Sequence, residues 1–241
     1  MRLRHLLEPV LEVPSPVLAE IYQTRSVTDH DGTRVDLHGN ISVAHANALY
    51  RTVRDLAPQT VIEIGMAFGV ASLAITSALA VAGRGGQLIS IDPNQSRHWR
   101  NIGVLNVRRA ELDGHHRLIE RVDYLALPEL VGDGQTIELG YIDGWHTFDY
   151  TLLDFFYLDK MLVPGGVVAF NDCAMPSVHK VMRFVRAHRR YHELDVGLSR
   201  RYVSRDVPTT IRRLATLRSK SDRYFEKLET WEPPSDFHAR F

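Results

Sequence analysis

The stretch VIEIGMAFGVASLAI, Val61 to Ile75, sets the reading of the whole chain. An apolar run is interrupted at Glu63 and stops at Gly65. A second glycine follows at Gly69, and from Val70 the apolar residues come at helical density. Strand, glycine turn and helix in that order form the first unit of a doubly wound sheet, and the turn is where nucleotide-like ligands bind. Gly65 and Gly69 carry no side chain, so the backbone can come close to a ligand. The helix N-terminus behind them favours an anionic group. The spacing is G-x-x-x-G rather than the G-x-G-x-x-G of dinucleotide sites, and an acid precedes it by two residues. A carboxylate there repels a pyrophosphate and can accept hydrogen bonds from an ammonium or hydroxyl group.

The same alternation continues down the chain. Upstream, "ISVAHANALYRTVRDLA" has helical spacing. Downstream, "GQLISID", "HRLIER", "TIELGYIDG" and "GGVVAFND" read as strands. Between and after them, "RHWRNIGVLNVRRAEL", "YLALPELV", "DYTLLDFFYLDKML" and "SVHKVMRFVRAHRR" read as helices. The strands are apolar on both faces, as in a parallel sheet covered by helices. "YHELDVG" and "RRYVSRD" read as an antiparallel hairpin turning at Leu198-Ser199. The expected fold is α/β: one Rossmann-like domain, a mostly parallel seven-stranded sheet with a C-terminal antiparallel hairpin. Residues 1–40 read as a proline-broken helical arm or lid, with "HDGTRVDLHGN" as a loop. Residues 41–206 form the main domain and residues 207–241 a helical tail. The arm and the tail are candidate arms of a homodimer.

Bulk composition narrows the function. The chain of 241 residues has formal net charge zero, which argues against a nucleic-acid or membrane-surface partner. Arginines gather after Arg183 and read mainly as a solvated face. Cys173, the single cysteine, excludes an internal disulfide and reads as a small buried residue. Acids and prolines break the apolar core that a signal peptide needs. A cytoplasmic location is expected.

Asp92 ends "LISID", about where a ribose-binding acid belongs in such folds. The ligand then carries a ribose and an amino-acid-like or cationic part, with no phosphate required. "EIGMAFGVASLAI" together with "ISIDP" closely resembles the class I S-adenosylmethionine-dependent methyltransferases. Within them it looks most like the branch related to catechol, caffeoyl-CoA and macrolide-sugar O-methyltransferases. The resemblance covers roughly residues 38–205. It implies that Glu63, Gly65, Ala67 and Gly69 line the methionine end of S-adenosylmethionine and that Ser72 faces its carboxylate. It implies Asp92 on the ribose and Asp123 near the adenine, with Ile41 and Ser42 reaching the carboxylate.

"YIDGWHTFDY" ends a strand on Asp143, and "VVAFNDCAMPSV" ends another on Asn171 and Asp172. Carboxyl ends of adjacent strands share one crevice. Two carboxylates and an amide suit a hard cation such as Mg²⁺. The resembling metal-dependent enzymes bind a divalent cation at these strand ends, and Asn171 stands where macrolide-sugar enzymes carry a second acid. His146 can take a proton from a hydroxyl near neutral pH, with Asp149 as its candidate orienter and Trp145 as a candidate pocket wall. Asp154 reads as a surface acid or cap. The adjacent His115 and His116 carry no assignment.

Together these features point to an S-adenosylmethionine-dependent O-methyltransferase acting on a hydroxyl of a small molecule, assisted by Mg²⁺, with secondary metabolism as its setting. The alternatives are a nicotinamide-dependent oxidoreductase, which the absent third glycine disfavours, and a non-catalytic S-adenosylmethionine-binding protein.

Overall fold

The structure, a computed structural model, describes residues 9–198, 222–238 and 240–241. Elements run in the order α1 (Pro16–Thr24), β1 (Ser26–Thr28), β2 (Arg34–Asp36), α2 (Val43–Leu56), β3 (Thr60–Ile64), α3 (Val70–Ala82), β4 (Gln87–Ile91) and α4 (Ile102–Arg109). They continue with β5 (His116–Ile119), α5 (Asp123–Gly132), β6 (Ile137–Ile142), α6 (Phe148–Met161), β7 (Leu162–Phe170), α7 (Pro176–His188), β8 (Tyr191–Leu194) and β9 (Arg223–Lys227). The helix expected from "VASLAITSALAVA" is α3 residue for residue.

Seven strands form one sheet in the order β5-β4-β3-β6-β7-β9-β8. β3 to β7 pair in parallel, while β9 is antiparallel to both β7 and β8. Side chains alternate between two apolar layers, as a pleated strand requires. Val61, Leu139, Tyr141, Val167 and Tyr224 pack with Leu49 and Val53 of α2 and Leu73 and Ile75 of α3. Ile62, Ile64, Ile142, Val168 and Phe225 pack with Leu127 of α5, Phe155 of α6 and Val181 of α7. Helices thus cover both faces, which is the expected double winding.

Three expectations need correction. "HDGTRVDLHGN" is not wholly loop: Arg34–Asp36 pairs with Ser26–Thr28 in a small antiparallel sheet, so the arm is part helix and part strand. β8 takes its partner from Arg223–Lys227, inside the segment read as a helical tail. The arm "RRYVSRD" lies outside the described residues. Alternation along RYFEK is the reason for the strand: Tyr224 and Phe225 enter opposite layers. Arg189 is no solvated arginine. Its Nε donates to Asp159 Oδ2 at 2.9 Å, and Tyr191 Oη donates to Oδ1 at 2.6 Å. Lys227 Nζ, also buried, donates to the Asp159 and Leu162 carbonyls. That cluster fastens the last strand to the α6–β7 corner.

Candidate functional site

The sheet register builds the site. Ladder bonds run one residue past the strand ends: Gly65 N–H donates to Ile91 O, Asp92 N–H to Ile119 O, Asp143 N–H to Ile64 O and Asn171 N–H to Ile142 O. Asp92, Gly65, Asp143 and Asn171 therefore stand in one row across the carboxyl edge of β4, β3, β6 and β7. Ligands bind along that edge in open parallel sheets.

A cleft of about 330 Å³ opens beside the row, lined by the glycine loop from Gly65 to Phe68, by Val70 and Ala71, by Gly39, Asn40 and Ile41, and by Asp143. Gly65 has φ +86°, and a Cβ there would collide with the Asp143 carbonyl. Gly69 has φ +77°, and its Cβ would fall 2.9 Å from Gly103 O. The loop also holds Ala67 at φ +47°, and Asp172 sits at φ +49°. Left-handed backbone at non-glycine residues costs about 1–3 kcal/mol and gathers at functional sites.

Glu63 does not line the cleft. It shares a register level with Ser90 and Tyr141 and turns into the α2–α3 layer, fully buried. Its Oε2 accepts from Ser72 Oγ at 2.6 Å and from Ser90 Oγ at 2.5 Å, and His116 Nε2 lies 3.0 Å from Ser90 Oγ. Burial pushes the Glu63 carboxyl up to about 8, against the two serine hydrogen bonds that pull it down. Burial pulls the His116 imidazole down to about 4. The Ser72 hydroxyl is spent on Glu63. This pair anchors α3 beneath the loop instead of facing a ligand carboxylate.

Asp92 is the clamp of the loop. Its Oδ2 accepts from Met66 N–H at 3.1 Å, Ala67 N–H at 2.9 Å and Gln95 Nε2 at 3.0 Å, and its Oδ1 accepts from Asn94 N–H at 2.8 Å. Four donors fill the roughly four acceptor positions of a carboxylate. Gln95 also donates to Ala67 O at 2.7 Å. It lies three residues after Asp92, a spacing that sequence reading passed over. Ile41 lines the cleft, but Ser42 is the exposed N-cap of α2, its Oγ accepting from His45 N–H.

Asp123 opens α5 and is buried. Asp154 is not a surface acid: it is fully buried on α6, and its pKa stands well above the carboxylate range through burial and the neighbouring Asp123. Asp149 does not reach His146; it hydrogen-bonds Thr147 at the start of α6. Trp145 is 66% exposed and lies in ring contact with Tyr150. Cys173 is buried with Sγ against Phe170 O, as expected of a packing residue.

His146 Nε2 is buried 3.5 Å from Asp143 Oδ1 and 3.9 Å from Asp172 Oδ2. Burial works to lower its pKa. The hydrogen-bonding and charge of Asp143, then the charge of Asp172 and the side chain of Asn171, outweigh that and hold it above the ordinary value. The residues read as metal ligands thus converge on the imidazole read as the base. Asn171, however, turns its amide nitrogen away, onto Asp222. Among the described residues, the one group of three acid and histidine side chains with ligand atoms all within 4.8 Å of each other is Asp29, His30 and Asp31. It is exposed apart from Asp29, which also pairs with Arg100. No helix among the described residues is long and apolar enough to cross a membrane.

Comparison with known proteins agrees with this geometry. Residues 62–173 match the sequence model of a methyltransferase domain family. None of the curated proteins matches the chain in sequence. Among solved structures, an O-methyltransferase from Bacillus cereus in complex with S-adenosylhomocysteine superposes with TM-score 0.62 at 17% identity, covering 77% of this chain and 85% of the other. The O-methyltransferase TomG from Streptomyces achromogenes, involved in tomaymycin synthesis and solved with S-adenosylmethionine, gives TM-score 0.62 at 16% identity over 93% and 92% of the two chains. Residues 62–173 thus match a methyltransferase domain model, and the chain shares the fold of these O-methyltransferase structures.

Proposed function

We propose that the protein is an S-adenosylmethionine-dependent O-methyltransferase whose acceptor is a hydroxyl of a small molecule. One observation carries the reading: Asp143 lines the glycine-loop cleft and also faces His146. A donor site and a proton-accepting group therefore meet at one residue.

The cleft fits a compact, uncharged-to-cationic ligand end. It has backbone walls at Gly65 and Ala67 and an acid at Asp143, and among the described residues no arginine or lysine lines it for a pyrophosphate. S-adenosylmethionine would supply a methyl group on a sulfonium, an electrophile that needs no activation by the protein. The chain's own part is to hold and orient. The loop fixed by Asp92 and Gln95 presents a rigid wall, and orientation of two reactants is worth orders of magnitude in rate. His146 Nε2 is placed to take the hydroxyl proton, and Asp143 and Asp172 balance the charge it then carries.

Asp143 and Asp172 are the residues that would hold a divalent cation, with His146 beside them as the base. Their oxygens suit Mg²⁺, which would lower the pKa of a bound hydroxyl. The nicotinamide alternative has no support in the loop spacing or in the family match. Secondary metabolism as the setting and a cytoplasmic location extend the same proposal. The zero net charge supports a small-molecule acceptor over nucleic acid.

Calorimetric titration with S-adenosylhomocysteine and with NADH, each with and without Mg²⁺, tests the reading. Micromolar binding of S-adenosylhomocysteine and no heat from NADH is the expected result. Binding of NADH alone would overturn it, and no binding of either would favour the non-catalytic alternative.

A further inference from the structure

The row of strand-end residues does not stop at Asn171. Phe170 is in register with Arg223 across the antiparallel β7–β9 pair, so the next position brings Asn171 level with Asp222. Asp222 is buried, its side chain fully shielded from solvent. Its Oδ1 accepts from Asn171 Nδ2 at 3.0 Å, and its Oδ2 accepts from Tyr141 Oη at 3.0 Å. His45 Nδ1, from the first turn of α2, lies 3.6 Å from Oδ1. One carboxyl group thus gathers side chains from α2, β6 and the end of β7 at the floor of the crevice.

A carboxyl so far from water is retained at a cost unless its bonds do something a buried apolar residue could not. The structure shows what they do. An amide side chain has a donor end and an acceptor end, and only its network decides which way it points. Because Nδ2 is held by Asp222, the carbonyl end of Asn171 is the end left for the crevice, where the next residue, Asp172, faces His146. We infer that Asp222 is a positioning residue of the transfer site: it fixes the Asn171 amide with its oxygen toward the crevice that holds His146, and through it ties β9 to the chemistry. The inference rests on reading Asp143, His146, Asn171 and Asp172 as that site.

The test uses the full-length ¹⁵N-labelled protein and needs no acceptor. In the unmodified protein the Asn171 side-chain amide protons should exchange slowly with water. Asp222→Ala should speed that exchange about tenfold or more, as expected when a buried bond is lost, and should move the His146 ring resonances. Asp222→Asn retains an acceptor oxygen for Asn171 and should restore both signals. Tyr141→Phe, which leaves the Asn171 bond in place, should lower the melting temperature and leave the His146 resonances where they were. Unchanged His146 resonances in Asp222→Ala would overturn the proposal, and so would an Asp222→Asn protein that behaves like Asp222→Ala. If Asp222→Ala does not fold, rapid exchange of the Asn171 amide in the unmodified protein is itself the overturning result. S-adenosylhomocysteine titration of the same samples separates the two readings. Loss of binding in the unmodified protein contradicts the methyltransferase assignment, whereas the resonances report on Asp222 alone.

Discussion

Ser72 Oγ donates to Glu63 Oε2 at 2.6 Å in the interior, one residue on the strand before the glycine loop and the other on the helix after it. The bond closes the strand–loop–helix unit from behind. It also leaves an acid in a site where a charged form is costly, and this acid pairs with a hydroxyl rather than a base.

Stability should therefore respond to pH through Glu63. Its folded pKa of about 8 lies above the ordinary 4.5. The native state keeps a proton that the unfolded chain gives up above pH 4.5, so stability falls as pH rises toward 8 and levels off beyond. His116 acts in the other direction. Its folded pKa of about 4 lies below 6.5, so its contribution is lost as pH falls from 6.5 toward 4. The two oppose each other below pH 6.5; above it Glu63 acts in the same direction as His146 and Asp154, whose pKa values are also raised. Glu63→Gln should make that upper limb shallower and the acid limb steeper. Denaturant midpoints at half-unit pH steps would show it, and an undiminished fall from pH 6.5 to 8 in the variant would contradict it.

Gly65→Ala should cost about 1–3 kcal/mol from the backbone conformation alone, with more from the collision with the Asp143 carbonyl. The same substitution at Gly32, whose Cβ would meet nothing within 4 Å, should cost only the conformational part. Urea unfolding of the two variants measures the difference, and equal losses would mean that the strand-end contact is looser than described.

Asp92→Ala should orphan the Met66, Ala67 and Asn94 amides. Each unsatisfied group costs about 1–3 kcal/mol, so a drop in melting temperature should accompany weaker S-adenosylhomocysteine binding. Gln95→Ala should produce a smaller version of both effects. Differential scanning calorimetry and isothermal titration give the two numbers; a stable Asp92→Ala protein with intact binding would remove Asp92 from the site.

His146→Ala should reduce methyl transfer by about 10²–10⁴-fold, the usual worth of a general base, and leave S-adenosylhomocysteine binding within error. Radiolabelled methyl transfer to an acceptor found by screening hydroxyl compounds checks it. A loss of cofactor affinity instead would place His146 with the donor.

Asp159→Ala should destabilise by about 3–5 kcal/mol, because Lys227 and Arg189 would be left buried without their carboxylate. Guanidinium denaturation is the measurement. A cost below 1 kcal/mol would mean that the clip is solvated.

Legibility in the sequence followed local signal. β3, α3 and the parallel strands were readable because each carries its own apolar period and its own glycine turn. Asp92, Asp143 and Asn171 were placed in one crevice because strand ends are fixed by those same patterns. The direction of a side chain was not readable. Glu63 and Gly65 are two residues apart, yet Glu63 faces into the α2–α3 layer while Gly65 borders the cleft. β9 was missed because five residues with two aromatic positions make a weak period, and the partners that turn them into a strand lie on β7 and β8. Asp222 was invisible for the same reason: its meaning comes from register with Asn171, which only the folded sheet supplies.

The sheet order has a consequence for synthesis on the ribosome. β9 follows β8 in the chain, but it lies between β7 and β8. Until Lys227 has emerged, β7 and β8 lack the strand that joins them among the described residues. Unpaired edges recruit other chains, and nascent chains are most exposed to this while waiting for a distant partner. Vectorial folding can complete the glycine-loop half early. The half that holds Asn171 and His146 must wait for Arg223–Lys227, and a chain stalled before them would offer its β7 edge to whatever strand comes first.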